Sequence, residues 1–365
     1  MEYVQERIAT LHDFGGATPT APTDRAAVVV PMTGRDGTTL AAERVLSKLA
    51  AVEPREVIVA LRAAPDRLPA ITDWLSTFDL PLTTLWCSAP AVESVLAEVG
   101  LDGSGGKGRD VWLALGLAAA RTEYVVVHDA DARSYAETHV PRLLFPLANG
   151  YEFTKGYYAR VENQRLYGRL FRLLYAPLVR TLADAHDAPI LAYLGAFRYA
   201  LAGEFAATAD LARQLATPRG WGLEVGTLGD AYDVAGFDGT SQVDLGIHEH
   251  DHRSVAGPAG LSDMATEVTA AVARAAESHG VTPDYETLPD RYRQTASSFV
   301  DRYAADAAFN GLEYDRADER DQVETYAEAV VAPNSDDRLP AWERTELDPE
   351  RIATVATDAL ERALV

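Results

Sequence analysis

The chain has 365 residues, with 55 Asp and Glu against 33 Lys and Arg, and carries a formal charge of −22. Hydrophobic residues make up 47%, enough for a sizeable core, and the length suits one large α/β domain with an appendage, or about two domains. So negative a chain is repelled by duplex DNA and by anionic membrane, which excludes broad binding to either.

Residues 1–25 close in a Gly/Thr/Pro-rich stretch, Gly15 to Thr23, and are expected to form an N-terminal arm. The start, Met1-Glu-Tyr-Val-Gln-Glu-Arg7, has neither the basic opening nor the apolar core of a signal peptide. Ala26–Pro31 is a valine-rich run expected to be a buried parallel strand. Thr38–Val52 places Leu40, Val45, Leu46 and Leu49 at helical spacing. Val57–Leu61 and Leu82–Trp86 read as strands, Leu68–Phe78 and Ala91–Val99 as helices, and 102–106 as a flexible loop. Lys107–Arg121 is an Ala/Leu-rich helix leading into the strand Tyr124–Val127. Strands alternating with helices imply a mostly parallel, doubly wound sheet.

Beyond this point the pattern changes. Tyr151–Arg160 reads as an aromatic-rich strand, Gln164–Ala185 as a long helix with an arginine-rich face, and Phe205–Ala216 as a further helix. Ser241–His250 alternates as a strand before a histidine-rich tip. After Pro258 the chain is amphipathic and acidic, with helices expected over Asp263–His279, Pro289–Phe309 and Pro349–Leu364. The division expected is an arm (1–25), an α/β catalytic domain (26–255) and an acidic helical C-terminal region (256–365).

The lone cysteine, Cys87, excludes an internal disulfide and a cysteine zinc finger, and closes an apolar strand. No apolar stretch is long enough to span a membrane, so a soluble cytoplasmic protein is expected. Lys48, Lys107 and Lys155 are the only lysines. An acidic, lysine-poor surface suits concentrated salt, where carboxylates stay hydrated and their repulsion is screened.

The strand Tyr124–Val127 runs straight into His128-Asp129-Ala-Asp131. Ligands of open α/β sheets bind beyond the carboxyl ends of strands, and two carboxylates there suit a hard divalent cation bridging to phosphate. Alternatively the two aspartates cap the following turn. Gly103-Ser-Gly-Gly-Lys107-Gly108 lacks the Walker spacing, yet its lysine opens a helix and can add charge to that terminus. In His248-Glu-His250-Asp-His252 alternate residues share a face, which permits a metal ligand or a solvated strand end.

Taken in order, these motifs resemble the glucosyl-3-phosphoglycerate synthases. They are Pro31 at a strand end, Gly106-Lys107-Gly108, Asp129-Ala-Asp131, Phe153-Thr-Lys155-Gly-Tyr-Tyr-Ala-Arg160, Leu201-Ala-Gly203-Glu204-Phe205, Gly220-Trp-Gly-Leu-Glu224-Val-Gly226 and Gln242-Val-Asp-Leu-Gly246-Ile-His-Glu-His250. The resemblance, over about residues 26–255, implies a retaining glycosyltransferase of the GT-A fold, a Rossmann-like sheet flanked by helices. It would move a hexose, glucose first, from a nucleotide-diphosphate sugar to a small anionic acceptor such as 3-phosphoglycerate. The resemblance implies that Asp131 and His250 bind Mg²⁺ or Mn²⁺, and that Asp129 contacts the ribose or the metal's waters. Lys107 and the backbone near Pro31 would hold the nucleotide and diphosphate, and Gly203 would bring main chain to the sugar. Glu224 would face the sugar or acceptor hydroxyl, making Glu224 and Asp131 the catalytic candidates. Lys155, Arg160 and Arg169 are the acceptor candidates, and a homodimer is expected.

Two departures stand out. Where the family usually reads Pro-Ala-Leu-Asn-Glu-Glu, this chain reads Pro31-Met-Thr-Gly-Arg-Asp36, and its second strand ends in Leu61-Arg-Ala-Ala. A different acceptor, such as a glycan or lipid-linked hydroxyl, and a non-catalytic nucleotide-sugar-binding protein are the alternatives.

Overall fold

The computed structural model describes residues 5–249, 258–334 and 336–365; His250 and His252 lie outside them. The strands are β1 (Ala9–Leu11), β2 (Ala26–Thr33), β3 (Glu56–Arg62), β4 (Leu82–Trp86), β5 (Tyr124–Val127), β6 (Phe153–Ala159), β7 (Val161–Glu162), β8 (Arg165–Leu166), β9 (Phe205–Thr208) and β10 (Thr240–Ile247). All but β7 and β8 join one eight-stranded sheet in the order β1-β10-β6-β9-β5-β2-β3-β4. Neighbours run parallel except at β9, which is antiparallel to both β5 and β6. Val28, Val29, Val30, Ile58, Val59, Val125, Val126 and Val127 are fully buried, as strands covered by helices on both faces must be.

Every strand and helix expected before residue 128 is present, within one to three residues at each end. Thr39 explains the start of the first helix: its side chain accepts from Ala42 N, leaving Leu40–Val52 helical. Cys87 is buried directly after β4. Two later expectations are corrected. Gln164–Ala185 is not one helix, because Asn163 and Gln164 both adopt positive φ and turn β7 back onto β8, as in a two-residue hairpin. Helical structure begins only at Leu170, as a π-helical turn that continues into the helix Ala176–Ala183. Phe205–Ala216 begins as β9, with only Ala209–Ala212 helical. The helix propensity of Ala206 and Ala207 is overridden by ladder pairing on both sides, Val126↔Ala206 and Phe153↔Ala207.

The N-terminal segment contributes β1, which pairs in parallel with β10. The C-terminal region holds the helices Pro258–Glu277, Leu288–Phe309, Arg316–Ala327 and Pro349–Leu364. It packs on the α/β core through Trp342, stacked on Trp112 at 4.2 Å between ring centres. Each indole donates to a backbone carbonyl across the contact, Trp342 to Trp112 and Trp112 to Pro340. Arg172 and Glu319, both buried, form a second tie at 2.9 Å. Among the described residues, no helix is long and apolar enough to cross a membrane.

Candidate active site

The parallel strands β2, β3 and β5 end on the same side of the sheet, and a cavity of about 730 Å³ opens there. Its wall includes Pro31 to Asp36 after β2, Arg62 at the end of β3, Gly106 and Lys107 at the start of the helix Lys107–Arg121, and Asp129 and Asp131 after β5. This is the carboxyl-end position expected of a ligand site in an open α/β sheet.

Antiparallel β9 explains how distant residues meet here. Because Phe205 pairs with Val127, the start of β9 lies at the end of β5, and Gly203 comes beside Asp129. A Cβ on Gly203 would sit 2.2 Å from Asp129 Oδ2, so only glycine lets the carboxylate into this place. Lys155 on β6 pairs with Phe205 on the other side. It is fully buried, with its ammonium 5.5 Å from the centre of the Phe205 ring.

Lys107 organises the centre. Its ammonium lies 2.6 Å from Asp129 Oδ1 and 2.9 Å from Glu224 Oε1. Glu224 reaches this point from the first turn of the helix Leu223–Ala235. Burial alone would push Lys107 down, but Asp129 and Glu224 outweigh it and hold the ammonium above its usual range. Lys155 has no such partner. Burial is the largest influence on it, and despite Glu224 and Glu204 it is lowered to about 8.

Asp36 lines the same cavity, its Oδ2 accepting from Thr33 N and Thr33 Oγ1 at 2.7 Å each. Its carboxyl is raised by burial, against those hydrogen bonds, and then by the charges of Asp131 and Asp129. Asp36 thus feels both aspartates that follow β5. Arg62 Nε donates to Asp110 Oδ2 at 2.8 Å. Burial raises Asp110 to about 6 although Arg62 opposes it, and Asp110 Oδ1 is buried without a hydrogen bond.

Pro31, Lys107, Asp129, Asp131, Gly203 and Glu224 are therefore gathered at one end of the sheet. The acceptor candidates divide. Lys155 is on the same side, close enough to Glu224, Glu204, Lys107 and Asp129 to feel their charges. Arg160 follows β6 and lies 3.9 Å from Glu162. Arg169 pairs with Asp318 and, at 2.9 Å, with Glu319 from the C-terminal region. Among the described residues no group of three or more His, Cys, Asp and Glu is placed to hold a metal ion.

Four wall residues escaped the sequence reading. Asp36 and Arg62 were visible only as departures from a family pattern. Trp221 lay inside a quoted motif without a role of its own. Glu267, from the helix Pro258–Glu277, carried no sequence signal, because one glutamate on an acidic helix looks like any other.

No family model matches the chain. It is 31% identical to the glucosyl-3-phosphoglycerate synthase of Methanococcoides burtonii, over 94% of this chain and 93% of that one. It is 33% identical to the enzyme of the same name from Persephonella marina, over 75% of this chain and 72% of that one. Its fold matches crystal structures of the glucosyl-3-phosphoglycerate synthase of Mycobacterium tuberculosis. The structure with phosphoglyceric acid has a TM-score of 0.56 at 24% identity, covering 76% of this chain and 90% of that one. Another, holding Mn²⁺, UDP-glucose and phosphoglyceric acid, also has a TM-score of 0.56, at 23% identity and covering 76% and 89%. With identity above 30% over nearly the whole of both chains, the protein belongs to the glucosyl-3-phosphoglycerate synthase family.

Proposed function

We propose that this member of the family transfers glucose, with retention, from a nucleoside-diphosphate sugar to 3-phosphoglycerate, and that the donor lies in the cavity at the ends of β2, β3 and β5. What carries this reading is Lys107, a half-buried ammonium bridging Asp129 and Glu224 on the wall of that cavity. A nucleotide diphosphate offers oxygens for such an ammonium, and bond cleavage at the sugar adds negative charge to the leaving diphosphate. Lys107, already charged and held in place by its two carboxylates, stabilises that charge. Asp129 is freed to meet the ribose or the waters of a metal, and Glu224 is freed to face the sugar.

The donor set of this wall fits a hard divalent ion, since the carboxylates Asp129 and Asp131 both line it. Asp131, together with His250, would hold Mg²⁺ or Mn²⁺, which supplies Lewis-acid stabilisation of the diphosphate when bound. Lys155, Arg160 and Arg169 are the proposed contacts for the acceptor's phosphate and carboxylate. An anion reaching Arg169 competes with Asp318 and Glu319 for its guanidinium. Arginine forks suit such oxyanions.

The surroundings proposed are a saline cytoplasm, from the charge of −22 with three lysines, and the working form proposed is a homodimer. The test is a matrix of nucleotide-glucose donors against phosphoglycerate and neutral acceptors, in high salt with Mg²⁺ or Mn²⁺, read by mass spectrometry. A glucosylphosphoglycerate mass is expected. No product from phosphoglycerate with any donor overturns the assignment, and sedimentation in the same buffer decides the dimer.

A further inference from the structure

Among the described residues, the C-terminal helical region reaches the cavity at Glu267. Its carboxylate Oε2 accepts from Trp221 N at 2.5 Å. Gly222 is the N-cap of the helix Leu223–Ala235 and offers that helix no side-chain cap of its own. The first amides of a helix need an acceptor, and a negative charge there is favoured by the helix dipole. Glu267 brings the negative charge from another part of the chain and fixes the residue that leads into the N-cap. The approach is close: a Cβ on Gly220 would lie 2.3 Å from Glu267 Oε2, so the loop carries glycine where the carboxylate lands.

The opposite side of the same loop is held by the site itself. Arg109 N, in the first turn of the Lys107 helix, donates to Arg219 O at 3.1 Å. Arg219 in turn donates to Leu101 O and Asp102 O. Residues 219–222 are therefore clamped between the Lys107 loop and Glu267, and Glu224 follows two residues later. Its place 2.9 Å from Lys107 depends on where that helix begins.

We infer that Glu267 is a positioning residue for sugar transfer, a cap donated by the C-terminal region that sets Glu224 against Lys107 and the donor. It acts through the helix start and touches neither the diphosphate nor the acceptor. The inference rests on the transfer reaction proposed above for its activity readout.

The experiment compares wild type, Glu267→Gln and Glu267→Ala with UDP-glucose, Mn²⁺ and 3-phosphoglycerate, together with Tm and the Kd of UDP–Mn²⁺. Loss of the cap is expected to lower kcat at least about tenfold in the alanine variant while the Kd of UDP stays within about threefold. The glutamine variant, whose amide oxygen still accepts from Trp221, recovers at least about a third of wild-type kcat. An alanine variant with kcat within about twofold of wild type overturns the inference, as does a fall of Tm, Kd and kcat together that glutamine does not relieve. Should wild type not turn over this substrate pair, the proposed function fails, and amide exchange then decides the cap separately. The inference requires Trp221 to Glu224 to exchange at least about tenfold faster in the alanine variant with β5 unchanged; equal exchange overturns it.

Discussion

Lys107 Nζ lies 2.6 Å from Asp129 Oδ1, joining the start of a helix to the end of a strand on the wall of the cavity. Asp129 approaches from β5, Glu224 from a helix more than ninety residues later, and the lysine charge is what lets two carboxylates share the space. Replacing Lys107 by Met removes the charge and leaves two partly buried carboxylates facing each other. Turnover with UDP-glucose and phosphoglycerate is expected to fall at least a hundredfold, about 3 kcal/mol of lost stabilisation. Arginine does not restore it, since the planar fork cannot replace a compact ammonium between two close oxygens. Steady-state kinetics of the two variants check this.

The same carboxylate depends on Gly203. A methyl group there would meet Asp129 Oδ2 at 2.2 Å, so Gly203→Ala must push Asp129 away from Lys107 or displace the segment before β9. A fall in kcat/KM of at least about tenfold is expected from such a misplacement. Far-ultraviolet circular dichroism should remain that of wild type, because the sheet pairs of β9 begin only at Phe205.

Asp131→Asn keeps the shape of the wall and removes one charge from the group that Asp36 feels. The Mn²⁺ concentration giving half-maximal turnover is expected to rise at least about tenfold, with part of the activity returning at saturating metal. Removal of the metal with EDTA should abolish turnover in both proteins and re-addition should restore it in both. Unchanged Mn²⁺ dependence in the variant would remove Asp131 from the metal site.

What was legible in advance follows the range of the forces involved. Val28 to Val30 and Val125 to Val127 announce buried strands because burial on both faces demands apolar runs, and both strands lie where expected. Asp129 and Asp131 could be placed at a strand end for the same reason. Phe205–Thr208 could not be read, since Ala206 and Ala207 favour a helix locally and are strand only because β5 and β6 flank them. Asn163 and Gln164 hid a turn for a related reason: outside glycine, positive φ has a weak local signature. Asp36, Arg62 and Glu267 take their positions from contacts with Thr33, Asp110 and Trp221, and of these only Thr33 is a near neighbour in sequence.

The tie between Arg172 and Glu319 is a stability question. Both side chains are buried, and Glu319 also holds Arg169 at 2.9 Å. Glu319→Ala leaves the Arg172 guanidinium buried beside Tyr303, with carbonyl acceptors at Tyr167 and Leu166 but no counter-charge. A loss of about 3–5 kcal/mol is expected, the usual cost of breaking a buried pair from one side. The urea midpoint measures it. Arg169→Ala removes only a partly exposed partner and should cost about 1 kcal/mol or less. If Arg169 binds acceptor, that second variant raises the KM for phosphoglycerate more than that for the donor.

Lys155 gives the pH prediction, and its sign can be worked out. Burial lowers its folded value to about 8 from an ordinary 10.5, so the unfolded chain holds the proton more tightly than the folded one. Below pH 8 both states are charged, and the folded state bears the full cost of a buried ammonium, roughly 3 kcal/mol from the size of the shift. Between pH 8 and 10.5 the folded state releases its proton first, and that cost fades. Above 10.5 both states are neutral and it is gone. Lys155→Met, similar in length and never charged, should therefore be more stable than wild type at pH 7, by up to roughly that amount. The gap should close as the pH rises from 8 to about 10.5. Taking the difference between the two proteins removes the titration of the many other groups. Urea unfolding of both at pH 7, 9 and 10 is the measurement. A gap that stays constant across this range would mean that Lys155 keeps its proton in the folded protein as firmly as in the unfolded chain, its ammonium paired. Activity should move the opposite way, because the variant lacks the ammonium that Lys155 offers an anionic acceptor beside Phe205.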